Sequence, residues 1–93
     1  MDEKQESPAP ERALTFGEKA VGLSFNPSGD ATVNIIKRHF ADIIDNLHSL
    51  RLELPQEIDD FSPSFERARM YEIAIQAAQT AQMWAVKAVT WKD

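Results

Sequence analysis

Cysteine is absent from this 93-residue chain, which excludes a disulfide framework and any metal site built on thiolates. The chain also lacks an apolar run of about eighteen residues, the length at which a membrane-spanning helix becomes a candidate. Its first residues have neither the basic flank nor the apolar stretch of a secretory signal. We therefore expect a protein that does not enter a membrane and that works in a cytoplasm.

Basic charge is also scarce, since 15 acidic residues outnumber 10 basic ones and give a net charge of −5. A sequence-independent binder of long DNA or RNA needs a basic surface, so we expect no long nucleic acid as a partner. The acidic balance leaves room for a small anionic ligand in a locally cationic pocket. The hydrophobic fraction of 43% is ordinary for a globular chain, and the length allows one small domain.

Signatures of catalysis and metal binding are missing as well. The three glycines are too scattered to form a phosphate-binding loop, and no serine lies in a nucleophile-elbow context. We expect no enzyme, no cofactor and no metal. His39, Asp42, Asp45 and His48 are three residues apart, but each step turns a helix by about 300°, so only neighbouring pairs converge. Two protein ligands are too few for zinc, and we interpret the four as solvated residues on a helix face.

What the chain contains is helical periodicity, with no sustained alternation typical of β-strands. We predict an all-α fold, in which a short N-terminal helix precedes a long antiparallel helical hairpin. Residues 1–7 are predicted to be a disordered tail, and residues 8–93 a single helical-hairpin domain. The first helix is predicted to run from Pro8 to Val21, with Ser7 as its cap and Gly22 as its stop.

The two long helices are predicted from their apolar stripes and their proline boundaries. The second is capped by Ser28 or Asp30 and ends by Pro55. Its stripe is Val33, Ile36, Phe40, Ile43, Leu47, Leu50 and Leu54. The third begins at Ser62 and Pro63, after an acidic connector, and runs to about Thr90. Its stripe is Met70, Ala74, Ala77, Ala81, Trp84, Ala88 and Trp91.

The third helix carries a second apolar line: Ile75, Ala78, Ala85 and Val89, interrupted by Gln82. A helix that is apolar over most of its girth needs several neighbours, which a lone hairpin does not supply. We therefore predict a homo-oligomer, for which a different protein partner is the main alternative.

Candidate binding residues meet at one end of the predicted hairpin. An aromatic ring precedes the turn that opens the second helix, and lysines and a tryptophan near the chain end return towards that turn. Such aromatic, cationic and hydroxyl groups suit bases and phosphates. The alternative is that Phe25 fills a gap between helices and that the late lysines complement a helix dipole. The candidates are Phe25, Asn26, Ser28, Lys37, Lys87, Thr90 and Trp91.

Four segments of the chain resemble a phage family of small anti-CBASS sponges, whose helical hairpin is similar to that of the anti-Thoeris signal sponges. The resemblance covers about residues 17–48 and 66–92. It rests on Gly17-Glu18-Lys19-Ala20-Val21-Gly22, on Phe25-Asn26-Pro27-Ser28-Gly29-Asp30, on Val33 with Ile36-Lys37, and on Ala85-Val86-Lys87-Ala88-Val89-Thr90-Trp91.

The resemblance implies a protein that binds cyclic nucleotide messengers intact, so that the defence effector is not activated, in the cytoplasm of an infected bacterial host. It implies a homohexamer that holds cyclic dinucleotides such as cyclic GMP–AMP between protomers, and for some members cyclic trinucleotides in separate pockets. A lysine would hold phosphate, the role that Lys37 fits, with Asn26 and Ser28 as polar contacts. An aromatic ring would stack on a base, and Phe25 and Phe16 are both candidates, because the only tyrosine is Tyr71.

Two other functions remain open from the sequence. The shared hairpin also fits a sponge for the cyclic ADP-ribose-type signals of Thoeris systems. Alternatively, the broad apolar face of the third helix would let the chain act as a helical adaptor on a protein partner.

Overall fold

The computed structural model describes residues 13–55 and 63–92, and within these ranges the chain forms three helices and no strand. They are α1 (Phe16–Ala20), α2 (Ala31–Leu52) and α3 (Pro63–Thr90). α2 and α3 run antiparallel, since Arg51 near the end of α2 forms an ion pair with Glu72, early in α3, at 3.0 Å. The all-α prediction and the hairpin are therefore confirmed for the described residues, whereas the predicted tail lies outside them.

α1 is shorter than predicted because a local capping motif fixes its first turn at Phe16. The Thr15 hydroxyl accepts a hydrogen bond from the Glu18 N–H at 3.1 Å, and the Glu18 carboxylate accepts one from the Thr15 N–H at 2.9 Å. This reciprocal pair is a capping box, which satisfies two free donors at a helix start. Residues 13–15 are not helical, so the prediction of one helix from Pro8 is wrong there, while Pro8 and Ser7 lie outside the described residues.

The boundaries of α2 agree with the turn residues in the sequence. Gly22 follows α1 with a positive φ of 62°, a conformation that glycine adopts without strain, and the predicted stop is confirmed. Of the two predicted caps, Asp30 is the one used: its carboxylate accepts a hydrogen bond from the Thr32 N–H at 2.8 Å. α2 ends before Pro55, as predicted.

α1 packs closely on α2 because residue 17 has no side chain. A Cβ atom built on Gly17 would lie 2.2 Å from the Ala41 carbonyl oxygen. The Asp45 carboxylate stabilises this contact between α1 and α2 because it accepts hydrogen bonds from the Gly17 N–H and the Thr15 hydroxyl, both at 2.7 Å. The interpretation of Asp45 as a solvated residue is therefore wrong, because its charge satisfies donors at the start of α1.

A second polar contact between α1 and α2 lies about two turns earlier in α2. Glu18 is 1% exposed, and its carboxylate forms an ion pair with the Arg38 guanidinium at 2.9 Å. Arg38 also reaches the exposed carboxylate of Asp42 at 3.4 Å, four residues along α2. A buried carboxylate is tolerated only when it is paired and hydrogen-bonded, so Arg38 and Thr15 together make the burial of Glu18 possible.

The hydrophobic core is small and lies where all three helices meet. Its buried members are Val21, Ala41, Ile44 and Ile75, flanked by Ala20, Leu23, Phe40, Leu47 and Ala78. The predicted α2 stripe is correct at Val33, but Ile43 and Leu50 are 48% and 44% exposed. α2 is packed on two sides, by α1 and α3, so its buried line shifts to Val33, Lys37, Ala41 and Ile44.

The sequence predicts two apolar lines on α3, and the structure shows which of the two faces α2. The line that faces α2 is the second one, in which Ile75 and Gln82 are buried and Ala78, Ala85 and Val89 are half-buried. The predicted first stripe points outwards instead: Met70, Trp84 and Trp91 are 51%, 65% and 64% exposed. Small residues on the second line let the helices approach closely, while the large side chains of the first stripe lie outside the described hydrophobic core.

α3 begins at Pro63 and ends at Thr90, as predicted. In its first turns the Arg69 guanidinium donates a hydrogen bond to the Glu66 carboxylate at 2.6 Å, which lowers the pKa of Glu66 below its ordinary value. Both side chains are about half exposed, so solvent screens the pair. None of the helices in the described ranges is both long and apolar enough to span a membrane.

Candidate functional site

A recess of about 190 Å³ lies between the turn that precedes α2 and the last turn of α3. The antiparallel hairpin creates it, because the start of α2 and the end of α3 lie side by side. One wall is apolar and comes from Val33 and Val86. The full lining of the recess is Phe25, Asn26, Pro27, Ser28, Val33, Lys37, Val86 and Thr90.

Lys37 supplies the positive charge of the recess. The residue is only 5% exposed, and its ammonium group donates hydrogen bonds to the carbonyl oxygens of Gly22, at 2.9 Å, and of Phe25. Within the described part of the chain no carboxylate forms an ion pair with it. Removing an ammonium group from water is costly when only neutral acceptors compensate it. The site therefore carries an unbalanced positive charge that favours an anion.

Phe25 presents an aromatic surface beside that charge. Its ring is 70% exposed, and the Lys37 ammonium lies 5.6 Å from the ring centroid. The backbone at Phe25 is fixed by its N–H, which donates to the Gly22 carbonyl at 2.9 Å. An aromatic ring that is open to solvent and carried by an anchored backbone is suited to stacking against a planar ligand.

Asn26 and Ser28 use their side chains to build the turn. The Asn26 amide nitrogen donates to the Asp30 carbonyl at 2.9 Å and to the Asn34 side-chain oxygen at 3.1 Å. The Ser28 hydroxyl donates to the Asn26 side-chain oxygen at 2.7 Å and accepts from the Asp30 N–H at 3.1 Å. These bonds hold the turn that positions Phe25.

The end of α3 contributes one hydroxyl to the recess and a separate exposed cluster beside it. The Thr90 hydroxyl lines the recess and donates to the Val86 carbonyl at 2.9 Å. Lys87 lies outside the lining, with its ammonium 5.3 Å from the Trp84 ring and 5.6 Å from the Trp91 ring. We call Trp84, Lys87 and Trp91 the tryptophan–lysine cluster.

The predicted binding residues thus fall into two groups. Phe25, Asn26, Ser28, Lys37 and Thr90 share the recess. Lys87 and Trp91 belong to the neighbouring tryptophan–lysine cluster.

Sequence reasoning missed the apolar wall and the backbone carbonyls that hold Lys37. Val33 belongs to the predicted apolar stripe of α2 and Val86 to an apolar stretch of α3, and nothing in their spacing distinguishes a residue that lines a recess. Gly22 was the available signal for this turn, since glycine adopts a positive φ, here 62°, without strain. Lys37 directly follows Ile36 of the predicted apolar stripe, and its side chain is itself buried.

The remaining chemically active side chains lie elsewhere. The Phe16 ring stacks on the His48 ring at 4.0 Å between centroids, with the two planes 8° apart. His39, Asp42, Asp45 and His48 do not converge, and the described residues contain no group of three or more acidic, histidine or cysteine residues able to hold a metal ion.

Comparison with known proteins identifies one similarity. The family model described as the hairpin domain of Acb2/Tad1 matches residues 18–90, a range that includes α2, α3 and every residue of the recess. No curated protein and no solved structure matches the chain.

Proposed function

The chain belongs to the Acb2/Tad1 hairpin-domain family, and on that premise we propose that it binds a cyclic nucleotide messenger and withholds it, uncleaved, from the host's defence effector. The family consists of phage signal sponges rather than enzymes. The finer proposal concerns the ligand: a cyclic dinucleotide such as cyclic GMP–AMP, and additionally a cyclic trinucleotide, bound in the infected bacterial cell.

One observation supports the proposal above the others: the buried ammonium of Lys37 lies beside the open face of Phe25. A phosphate at Lys37 would supply the missing counter-charge through a charge-assisted hydrogen bond. A base stacked on Phe25 would lie next to that phosphate, as the two do in a nucleotide. We assign the phosphate contact to Lys37 and the stacking contact to Phe25.

Phe25 is favoured over Phe16 by what each ring already contacts. One face of Phe16 is covered by His48 at 4.0 Å, outside the recess. Phe25 lines the recess and is 70% exposed. A ring that stacks on a ligand needs a free face near the phosphate-binding group, and Phe25 meets both conditions.

The proposed assembly is a homo-oligomer, a hexamer by the family resemblance. It is supported by the outward face of α3, where Met83 and Trp84, together with Trp91 just after the helix, are each more than 60% exposed. Exposed apolar surface of this kind is unusual on a chain that acts alone. A second copy would also enclose the recess, which is open on one side and small for a whole dinucleotide.

The function is tested by ligand depletion and recovery. The purified protein is mixed with cyclic GMP–AMP, a cyclic trinucleotide or a cyclic ADP-ribose-type signal, and the free ligand is measured before and after heat denaturation of the protein. We expect cyclic GMP–AMP to disappear and to return chemically unchanged. Recovery of a linear product would indicate a phosphodiesterase, and capture of the ADP-ribose-type signal alone would indicate a Thoeris sponge. No capture at all would contradict the proposal.

A further inference from the structure

In the turn that borders the recess, the amide hydrogens of the Asn26 side chain are already used in hydrogen bonds within the protein. The Asn26 amide nitrogen must face the Asp30 carbonyl, 2.9 Å away, because a carbonyl oxygen only accepts. The side-chain oxygen of Asn26 therefore faces the Ser28 hydroxyl at 2.7 Å. The second amide hydrogen goes to the Asn34 side-chain oxygen. The Asn26 amide has no hydrogen left to donate.

The hydroxyl hydrogens of Ser28 and Thr90, the two hydroxyl residues that line the recess, are likewise used in hydrogen bonds within the protein. Ser28 accepts from the Asp30 N–H at 3.1 Å, and it donates its single hydrogen to the Asn26 side-chain oxygen, which can only accept. Thr90 gives its hydrogen to the Val86 carbonyl at 2.9 Å, a bond that a threonine in a helix commonly makes. Both oxygens keep lone pairs that can accept a further hydrogen bond.

The neutral side chains of the recess are consequently acceptors. Lys37 alone among the lining side chains keeps a donor, because two of its three N–H bonds go to carbonyl oxygens. A phosphate oxygen, which is itself an acceptor, suits Lys37. Placed against Ser28 or Thr90, it would face lone pairs or would have to break an existing hydrogen bond.

We propose that the Asn26, Ser28 and Thr90 oxygens select a hydrogen-bond donor of the ligand, either an exocyclic amine of a base or a ribose hydroxyl, and that phosphate is held by Lys37. This inference rests on the function proposed above and specifies which part of the nucleotide each side of the recess contacts. It assigns Ser28 as a hydrogen-bond acceptor, where the family resemblance implied only a polar contact.

Thr90→Val is the variant that isolates this contact. Valine has nearly the same shape as threonine and removes the acceptor. Thr80→Val is its matched control, since the Thr80 hydroxyl makes the same kind of bond, to the Gln76 carbonyl at 3.1 Å, on an exposed part of α3 outside the recess. Both variants lose one helical back-bond, and only Thr90→Val loses an oxygen in the recess.

The experiment is titration calorimetry of the full chain and both variants with three ligands: cyclic GMP–AMP, its analogue without exocyclic amines, and its 2′-deoxy analogue. We expect Thr90→Val to weaken cyclic GMP–AMP by about three- to tenfold. Thr90→Val should cause no further loss of affinity for the analogue that lacks the donor contacted by Thr90. The analogue whose affinity is unaffected therefore identifies that donor as the exocyclic amine or the ribose hydroxyl. Thr80→Val should match the unaltered chain for all three ligands.

Equal weakening of all three ligands by Thr90→Val, or no weakening of any, would overturn the inference while leaving the sponge function intact. If the unaltered chain binds none of the three ligands, the proposed function itself fails, and the inference fails with it. Circular dichroism at the titration temperature verifies that both variants remain helical.

Discussion

The Lys37 ammonium nitrogen lies 2.9 Å from the Gly22 carbonyl oxygen, fifteen residues earlier in the chain. This contact joins α2 to the turn after α1. It also fixes the position of the Lys37 ammonium group beside the Phe25 ring. Lys37 thus has two roles in the proposed site. Two of its N–H groups donate hydrogen bonds that hold the turn, and the third remains available for a ligand. We therefore expect docking of α1 and ligand binding to be coupled through this side chain.

Lys37→Met is predicted to weaken binding of cyclic GMP–AMP at least tenfold. A charge-assisted hydrogen bond contributes about 1.5–3 kcal/mol, and about 1.4 kcal/mol corresponds to a factor of ten. Methionine keeps the apolar stem in its buried place. Titration calorimetry measures the change, with the exposed Lys19→Met as the charge-matched control. Unchanged affinity in a folded Lys37→Met protein would contradict the role of Lys37.

Phe25→Leu is predicted to weaken the same ligand by about five- to a hundredfold, since stacking on a base contributes roughly 1–3 kcal/mol. Leucine keeps apolar volume and removes the aromatic face. Phe16→Leu is the comparison, and we expect it to lower thermal stability, by loss of the His48 stack, without a matching loss of affinity. The reverse pattern would assign the stacking role to Phe16.

Gly17→Ala is predicted to destabilise the fold by about 1–3 kcal/mol, because the new methyl group would overlap the Ala41 carbonyl and force α1 away from α2. The measurement is the midpoint of urea unfolding. Gly29→Ala serves as the control: its Cβ meets nothing within 4 Å, so it costs only the left-handed backbone, about 1 kcal/mol. A Gly17→Ala protein as stable as the parent would disprove the close packing.

Trp84→Glu and Met83→Glu are predicted to lower the mass of the assembly towards that of single chains. Each would bury a carboxylate in any interface formed by the outward face of α3, a cost of several kcal/mol. Sedimentation velocity measures the mass. Asn46→Glu adds the same charge at an exposed position of α2 and should leave the mass unchanged. If the parent sediments as single chains, the proposed oligomer is wrong.

The sequence was sufficient for the boundaries of the long helices and for the grouping of Phe25 with Lys37. Asp30, Pro55 and Pro63 are local signals, and their effect on the backbone does not depend on tertiary contacts. The convergence of Thr90 with Phe25 follows from the antiparallel hairpin alone. These parts were predictable because short-range rules determine them.

The register of α3 was not predictable because two of its faces are apolar. Periodicity measures where apolar residues lie, and it does not tell which face meets α2 when both qualify. The second apolar line is interrupted by the polar Gln82, yet its alanines allow α3 to approach α2 more closely. The start of α1 was not predicted because prolines earlier in the sequence are typical of a helix start. The capping box of Thr15 and Glu18 lies downstream of them and sets the actual start. The bond from Thr15 to Asp45 spans thirty residues, and no local pattern indicates it.

The position of the two tryptophans determines what intrinsic fluorescence will report. Trp84 and Trp91 are 65% and 64% exposed and lie beside Lys87, away from Ile44 and Ile75 in the core. Melting of a single chain would change the surroundings of either indole very little. A blue shift of the emission would therefore signal chains coming together, and optical experiments can follow association separately from loss of helix.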